Sequence, residues 1–135
     1  MNSEPCLCTG LRQAALAATK FYDDALQPTG LKITMFRLLR RIDEADAPTM
    51  TELADIVRLD RSTLGRNLRV LERLGLVRLS DGEDERSKSI ELTAAGSKKL
   101  ETALPLWASA QRRMKKRLGD HQSMIGEIAA KLERG

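Results

Sequence analysis

The sequence predicts a mainly α-helical chain with one small β-hairpin. Three observations carry this. Aromatic residues make up only 3% of the 135 residues, so the core must be built from Leu, Ala, Ile and Met, which favour helices over sheets. Apolar residues recur at steps of three and four along most of the chain, the spacing that places them on one helical face. Two short alternating stretches, 76–80 and 88–92, flank an Asp81-Gly82 turn and read as paired strands.

The first helix is expected over about 6–26, with Leu7, Leu11, Ala15, Ala18, Tyr22 and Ala25 on one face. Gln27-Pro28 ends it, because proline disfavours helix at the residue before it. After Gly30 a second helix is expected over 34–45, carrying Met35, Phe36, Leu38, Leu39 and Ile42, and Asp46-Ala47-Pro48 breaks it. Thr49-Met50-Thr51-Glu52 fits a capping box for a short third helix that stops near Arg58-Leu59. Asp60 is a good N-cap for a fourth helix, 61–74, and Gly75 stands where a helix C-terminus favours glycine. The hairpin follows. Thr93 then caps a long helix over about 94–118, in which Pro105 predicts a kink or break. A last helix begins near Gly119-Asp120 and carries Met124, Ile125, Ile128, Ala129 and Leu132.

Residues 49–92 thus read helix, short turn, helix, strand, charged tip, strand, which is the order of a winged helix-turn-helix. The expected division is an N-terminal dimerisation helix over 6–28, the winged region over 30–92 and C-terminal dimerisation helices over 93–134. The fourth helix is the informative element. Leu64, Leu68 and Leu71 line one face; at about 100° per residue, Ser62, Arg66, Arg69 and Arg73 fall opposite, with Thr63 at the edge. Leucines can anchor such a helix while hydroxyl and guanidinium groups point outward into a DNA groove. Arginine can pair with guanine, and Ser or Thr with bases or phosphates. Ser62, Thr63 and Arg66, in the first two turns, are expected to read bases; Arg69 and Arg73, further along, to hold phosphates. Arg61 belongs to the same basic approach. Gly65 weakens the helix by about 1 kcal/mol relative to Ala. It reads either as a close approach to DNA or as a tolerated weak position.

A net charge of +4 and a pI near 9.3 suit a nucleic-acid partner without requiring one. No apolar run approaches the ~18 residues of a membrane span, and no signal-peptide pattern opens the chain, so the expected location is the cytoplasm. There Cys6 and Cys8 are expected to be free thiols. The single histidine, His121, has no partner in a catalytic motif, and no glycine-rich phosphate loop is present, so an enzyme is not expected. Nor is a cofactor or a metal expected, since Cys6, Cys8 and a distant His121 make a weak ligand set. Arg112-Arg113-Met114-Lys115-Lys116-Arg117 is the densest basic run. It reads as a solvated helix face in preference to a second DNA patch, because Met114 keeps the apolar register and a helix C-terminus favours cations.

An ordered set of motifs resembles the MarR family of transcriptional regulators. They are Gly30-Leu31, Thr49-Met50-Thr51-Glu52-Leu53-Ala54, Leu59-Asp60-Arg61-Ser62-Thr63-Leu64, Leu71-Glu72-Arg73-Leu74-Gly75-Leu76-Val77, Asp84-Glu85-Arg86-Ser87 and Leu92-Thr93-Ala94-Ala95-Gly96. The resemblance covers nearly the whole chain from about residue 6. It implies a triangular homodimer whose first and last helices intertwine and whose two winged regions bind a pseudo-palindromic operator in double-stranded DNA. It implies a repressor, released by a small ligand or by cysteine oxidation. On the wing, Arg86 matches the family's minor-groove arginine, oriented by Asp84, with Ser87 and Lys88 on the DNA backbone. Asp81, Glu83, Asp84 and Glu85 make that tip acidic and leave Arg86 to insert nearly alone. Some branches sense hydroperoxides with a cysteine in the first helix, which points to Cys6 and Cys8; both also read as small packing residues at a dimer base. Others bind a small aromatic ligand, for which Phe21, Tyr22, Phe36 and Trp107 are candidates as well as core residues. The alternative function is a winged-helix module for protein–protein assembly without DNA.

Overall fold

Three helices begin where the capping residues Thr49, Asp60 and Thr93 put them. The structure, a computed structural model, describes residues 3–80 and 88–134. Its elements are α1 (Leu7–Leu26), a 3-10 turn at Gln27–Thr29, α2 (Ile33–Ala45), α3 (Met50–Val57), α4 (Arg61–Arg73), β1 (Val77–Leu79), β2 (Ile90–Leu92), α5 (Ala94–Leu118), a second 3-10 turn at Gly119–His121 and α6 (Gln122–Glu133). The fold is mainly helical with one two-stranded antiparallel sheet, as the sequence predicts.

Three side chains accept the orphan amides that begin helices. Thr49 accepts from the N–H of Glu52 at α3, Asp60 from Thr63 at α4, and Thr93 from Gly96 at α5. The Glu52 carboxylate in turn accepts the Thr49 hydroxyl proton. α2 borrows its cap: Asp23 of α1 accepts the Ile33 N–H at 2.7 Å, which fastens the first helix to the second. Between α3 and α4 the chain turns through Arg58, held at φ 56°.

The strands are shorter than the alternating stretches. Leu76 is spent on closing α4, its N–H donating to the Leu71 carbonyl at 2.9 Å, and Gly75 before it sits at φ 76°. Val77 pairs with Leu92, Arg78 with Glu91 and Leu79 with Ile90. The sheet gains a partial third member where the Ile90 N–H reaches the Pro48 carbonyl at 2.9 Å and Thr49 bridges Ser89. The entry to α3 is thereby stitched to the wing strands.

One core joins these elements. Phe36, Leu38, Leu39 and Ile42 of α2 meet Leu53 and Val57 of α3, Leu64, Leu68 and Leu71 of α4, Val77 and Ile90 of the sheet, and Leu100 and Ala103 of α5. Burying each of these larger side chains stabilises the fold by about 1.5–3 kcal/mol before entropy is counted. Pro105 does not break α5, which runs unbroken from Ala94 to Leu118. Proline costs Glu101 its backbone hydrogen-bond partner, but Glu101 and Pro105 are both exposed, so water can take that carbonyl. Buried Leu100 and Ala103 on one side and Ala110 on the other hold both halves of the helix in place.

The apolar stripe of α1 is only partly used. Ala18, Tyr22 and Ala25 are half-buried, whereas Leu7 is 82% and Leu11 42% exposed. α6 buries none of its residues, leaving Met124, Ile125, Ile128 and Leu132 in solvent.

Candidate nucleic-acid interface

α4 presents two opposite faces. Leu64, Leu68 and Leu71 are fully buried, while Arg61, Ser62, Arg66, Arg69 and Arg73 are exposed and Thr63 is half-buried. The separation follows from the 3.6-residue period, and the leucines fix the helix rigidly beneath its arginines. Among the described residues, none of Arg61, Arg66, Arg69 and Arg73 forms an ion pair. The neighbouring arginines do: Arg78 pairs with Glu91 across the strands at 3.1 Å, and Arg58 pairs with Glu133 of α6. Among the described residues the arginines on the outward face of α4 therefore stand without ion pairs, whereas those beside it are paired.

The first turn of α4 is organised by Asp60. Its carboxylate accepts the Ser62 hydroxyl at 2.6 Å, the Thr63 N–H at 2.8 Å and the Thr63 hydroxyl at 3.0 Å. Arg66 Nη2 donates to Thr63 Oγ1 at 3.3 Å. These donors, the Ser62 hydroxyl first, hold the Asp60 carboxyl down to about 2 from an ordinary 3.8. A depressed carboxyl pKa means that this group's contribution is complete above pH 3.8 and is lost only as pH falls through about 2. The sequence marks Asp60 as a cap, and the Asp-x-Ser-Thr spacing is the only local signal of its grip on two hydroxyls two and three residues onward.

A Cβ at Gly65 would meet nothing within 4 Å, so the fold itself does not require glycine there. Gly65→Ala is expected to stabilise the protein by about 1 kcal/mol in a thermal melt.

The remaining candidates lie apart from α4. Asp84, Arg86 and Ser87 fall outside the described residues. Lys88 lies two residues before β2 and is half-buried. The four aromatic candidates form two pairs. Phe36, fully buried, stacks on Trp107 with centroids 5.9 Å apart, and Arg40 covers that indole at 4.4 Å. Phe21 and Tyr22 meet edge to face at 5.7 Å and border a cavity of about 420 Å³ with Met114, Leu118 and Ile125. Burial raises the Tyr22 pKa, and its hydroxyl donates to Gln111. From the basic run of α5, Arg113 and Arg117 lie over the Phe21 ring at 5.0 and 5.4 Å. Cys6 and Cys8 are exposed free thiols, and the backbone and side chain of Thr9 lower the Cys6 pKa. No group of three or more metal-ligating side chains occurs among the described residues.

Residues 29–87 match the MarR family. The whole chain is also similar to the M. tuberculosis transcriptional regulator MosR, solved in complex with DNA, at 41% identity and a TM-score of 0.84, covering 96% of this chain and 95% of that one. The chain belongs to the MarR family. Two further proteins are similar to it. The transcriptional repressor CouR, solved bound to a 23-mer DNA duplex, is 25% identical with a TM-score of 0.80, over 95% of this MarR-family chain and 92% of its own. YwoH of Bacillus subtilis (strain 168), an uncharacterized HTH-type transcriptional regulator, is 29% identical over 91 residues, 67% of this chain; the match spans 66% of YwoH, just under two thirds.

Proposed function

We propose that this MarR-family chain is a sequence-specific DNA-binding transcriptional regulator. It acts as a homodimer on a pseudo-palindromic operator and represses until an oxidant or a small ligand releases it. The observation that carries the reading is the row of exposed arginines on α4, without ion pairs among the described residues and backed by fully buried leucines. That arrangement suits insertion into a major groove, with Ser62, Thr63 and Arg66 toward base edges and Arg69 and Arg73 toward phosphates. Two relatives solved with DNA, MosR and CouR, support DNA over a protein-only partner, and CouR is a repressor.

The exposed apolar residues of α1 and α6 support a dimer base, since Leu7, Leu11, Ile125, Ile128 and Leu132 are costly to leave in water. In such a dimer the two α4 helices should stand about 34 Å apart, one turn of DNA. No helix among the described residues is long and apolar enough to cross a membrane. A DNA partner supports a cytoplasmic location.

For release, the exposed Cys6 thiol with its lowered pKa supports an oxidant. Thiols from two subunits would give two electrons and two protons to a peroxide, forming one S–S bond and reducing the O–O bond to two hydroxyl products. The apolar cavity beside Phe21 and Tyr22 supports the other route, a small aromatic ligand. Selection of bound duplexes from a random pool, with and without peroxide, tests both function and release. One operator sequence is expected to emerge and to be lost on oxidation. Cys6→Ser and Cys8→Ser are expected to keep the operator and lose the peroxide effect; unchanged release in both would remove the redox route.

A further inference from the structure

Asp60 does more than begin a helix. An ionised carboxylate can only accept hydrogen bonds, so in its contacts with Ser62 Oγ at 2.6 Å and Thr63 Oγ1 at 3.0 Å the hydroxyls are the donors. Each hydroxyl has one proton. With that proton given to Asp60, the oxygen has only lone pairs left for a further partner. Arg66 already uses one of them, donating to Thr63 Oγ1 at 3.3 Å. We propose that Asp60 is a specificity-determining positioning residue: by holding both hydroxyl protons it makes Ser62 and Thr63 obligate acceptors, which select amino-bearing base edges and cannot bind phosphate. This rests on the DNA-binding reading above.

The chemistry of the groove makes the consequence definite. Phosphate oxygens accept and do not donate, so they face the lone pairs of Ser62 and Thr63 without a proton between them. In the major groove only adenine N6 and cytosine N4 donate, while guanine O6, thymine O4 and purine N7 accept. An acceptor-only hydroxyl therefore distinguishes adenine or cytosine from guanine or thymine at a given strand position. Arg66 supplies the opposite preference one turn on. Its guanidinium keeps further N–H groups beyond the one given to Thr63, and these suit guanine O6 and N7. The first two turns of α4 thus carry acceptor and donor side by side, fixed by one carboxylate. The carboxylate remains ionised throughout the neutral range.

Asp60→Asn tests this without removing the cap, since Asn is as good an N-cap as Asp. It replaces one carboxylate oxygen by an NH₂ donor, and the hydroxyl facing that group must turn its proton outward. Asp60→Ser also keeps a cap, with one short hydroxyl that cannot hold both partners. Full-length wild type, Asp60→Asn and Asp60→Ser would each select duplexes from a randomised pool, with thermal melts confirming that all three fold. The wild type is expected to prefer adenine or cytosine at one or two strand positions per half-site. Asp60→Asn keeps its oxygen where the Thr63 N–H and the Ser62 hydroxyl donate, so its NH₂ faces Thr63 Oγ1, and it should move the preference to guanine or thymine by about tenfold or more at the position read by Thr63. Asp60→Ser should flatten the preference, with other positions unchanged. Identical base preferences in all three proteins would overturn the proposal while leaving DNA binding intact, whatever the overall affinities. A wild type that selects no sequence would instead overturn the DNA-binding reading, and this inference with it.

Discussion

Replacing Arg69 and Arg73 together by alanine is expected to weaken DNA binding about a thousandfold near 0.1 M salt. Both guanidiniums are exposed on the outward face of α4 and form no ion pair among the described residues. Each phosphate they are proposed to hold would release condensed counterions, and each lost contact removes about 0.9 from the slope of log affinity against log salt. A dimer losing two contacts per protomer should therefore bind with a slope shallower by about 3.6. The loss should fall equally on all sequences, because phosphate contacts position the protein without reading bases. Stability should change little, since neither side chain packs in the core. Affinity measured by fluorescence anisotropy on the selected operator and on a scrambled duplex checks both points. A loss confined to the operator would mean that these arginines read bases.

Gly96→Ala is expected to destabilise the fold by about 3 kcal/mol, which lowers the melting temperature by roughly 10 °C. A Cβ at this position would lie 1.9 Å from the backbone carbonyl oxygen of Leu76. Backbone cannot swing aside as a flexible side chain would. The same carbonyl accepts the Thr93 N–H at 3.0 Å, and the Thr93 hydroxyl donates to the Gly75 carbonyl at 2.6 Å while its oxygen accepts the Gly96 N–H at 3.0 Å. The first turn of α5 is thus pressed onto the exit of α4 through Thr93 and Gly96. A side chain at 96 would push α5 away and strain these three bonds together. Because α5 carries the chain from the wing strands toward α6, the spacing of the two α4 helices should suffer as well. Calorimetry checks the stability, and a wild-type melting temperature in the variant would show that α5 accommodates the methyl group.

The fold was legible in the sequence where local chemistry decides. Thr49, Asp60 and Thr93 marked helix starts that are found capped by those side chains, and the leucine period of α4 gave both its buried face and its exposed one. Legibility failed where distant parts of the chain meet. Nothing local shows that Gly96 lies against Leu76 or that Arg58 pairs with Glu133, 75 residues away. Pro105 carries a strong local signal for a break, yet solvent exposure and packing on both sides keep α5 continuous. The α1 stripe is real as a pattern, but a single chain covers only its C-terminal half. Phe21, Tyr22, Phe36 and Trp107 were grouped by residue type, and tertiary packing sorts them into two pairs. For the candidate interface, the identities of the outward residues came from periodicity, whereas the hydroxyl orientations set by Asp60 needed side-chain geometry.

The central claim is that the exposed arginine row of α4 faces DNA phosphates and bases. A titration of the wild-type protein onto a mixed-sequence duplex, repeated between about 50 and 200 mM salt, tests it most directly. The expected result is an affinity that falls by at least a hundredfold across that range, with a linear plot of log affinity against log salt. An affinity that does not change with salt, or no binding even at about 50 mM, would contradict it.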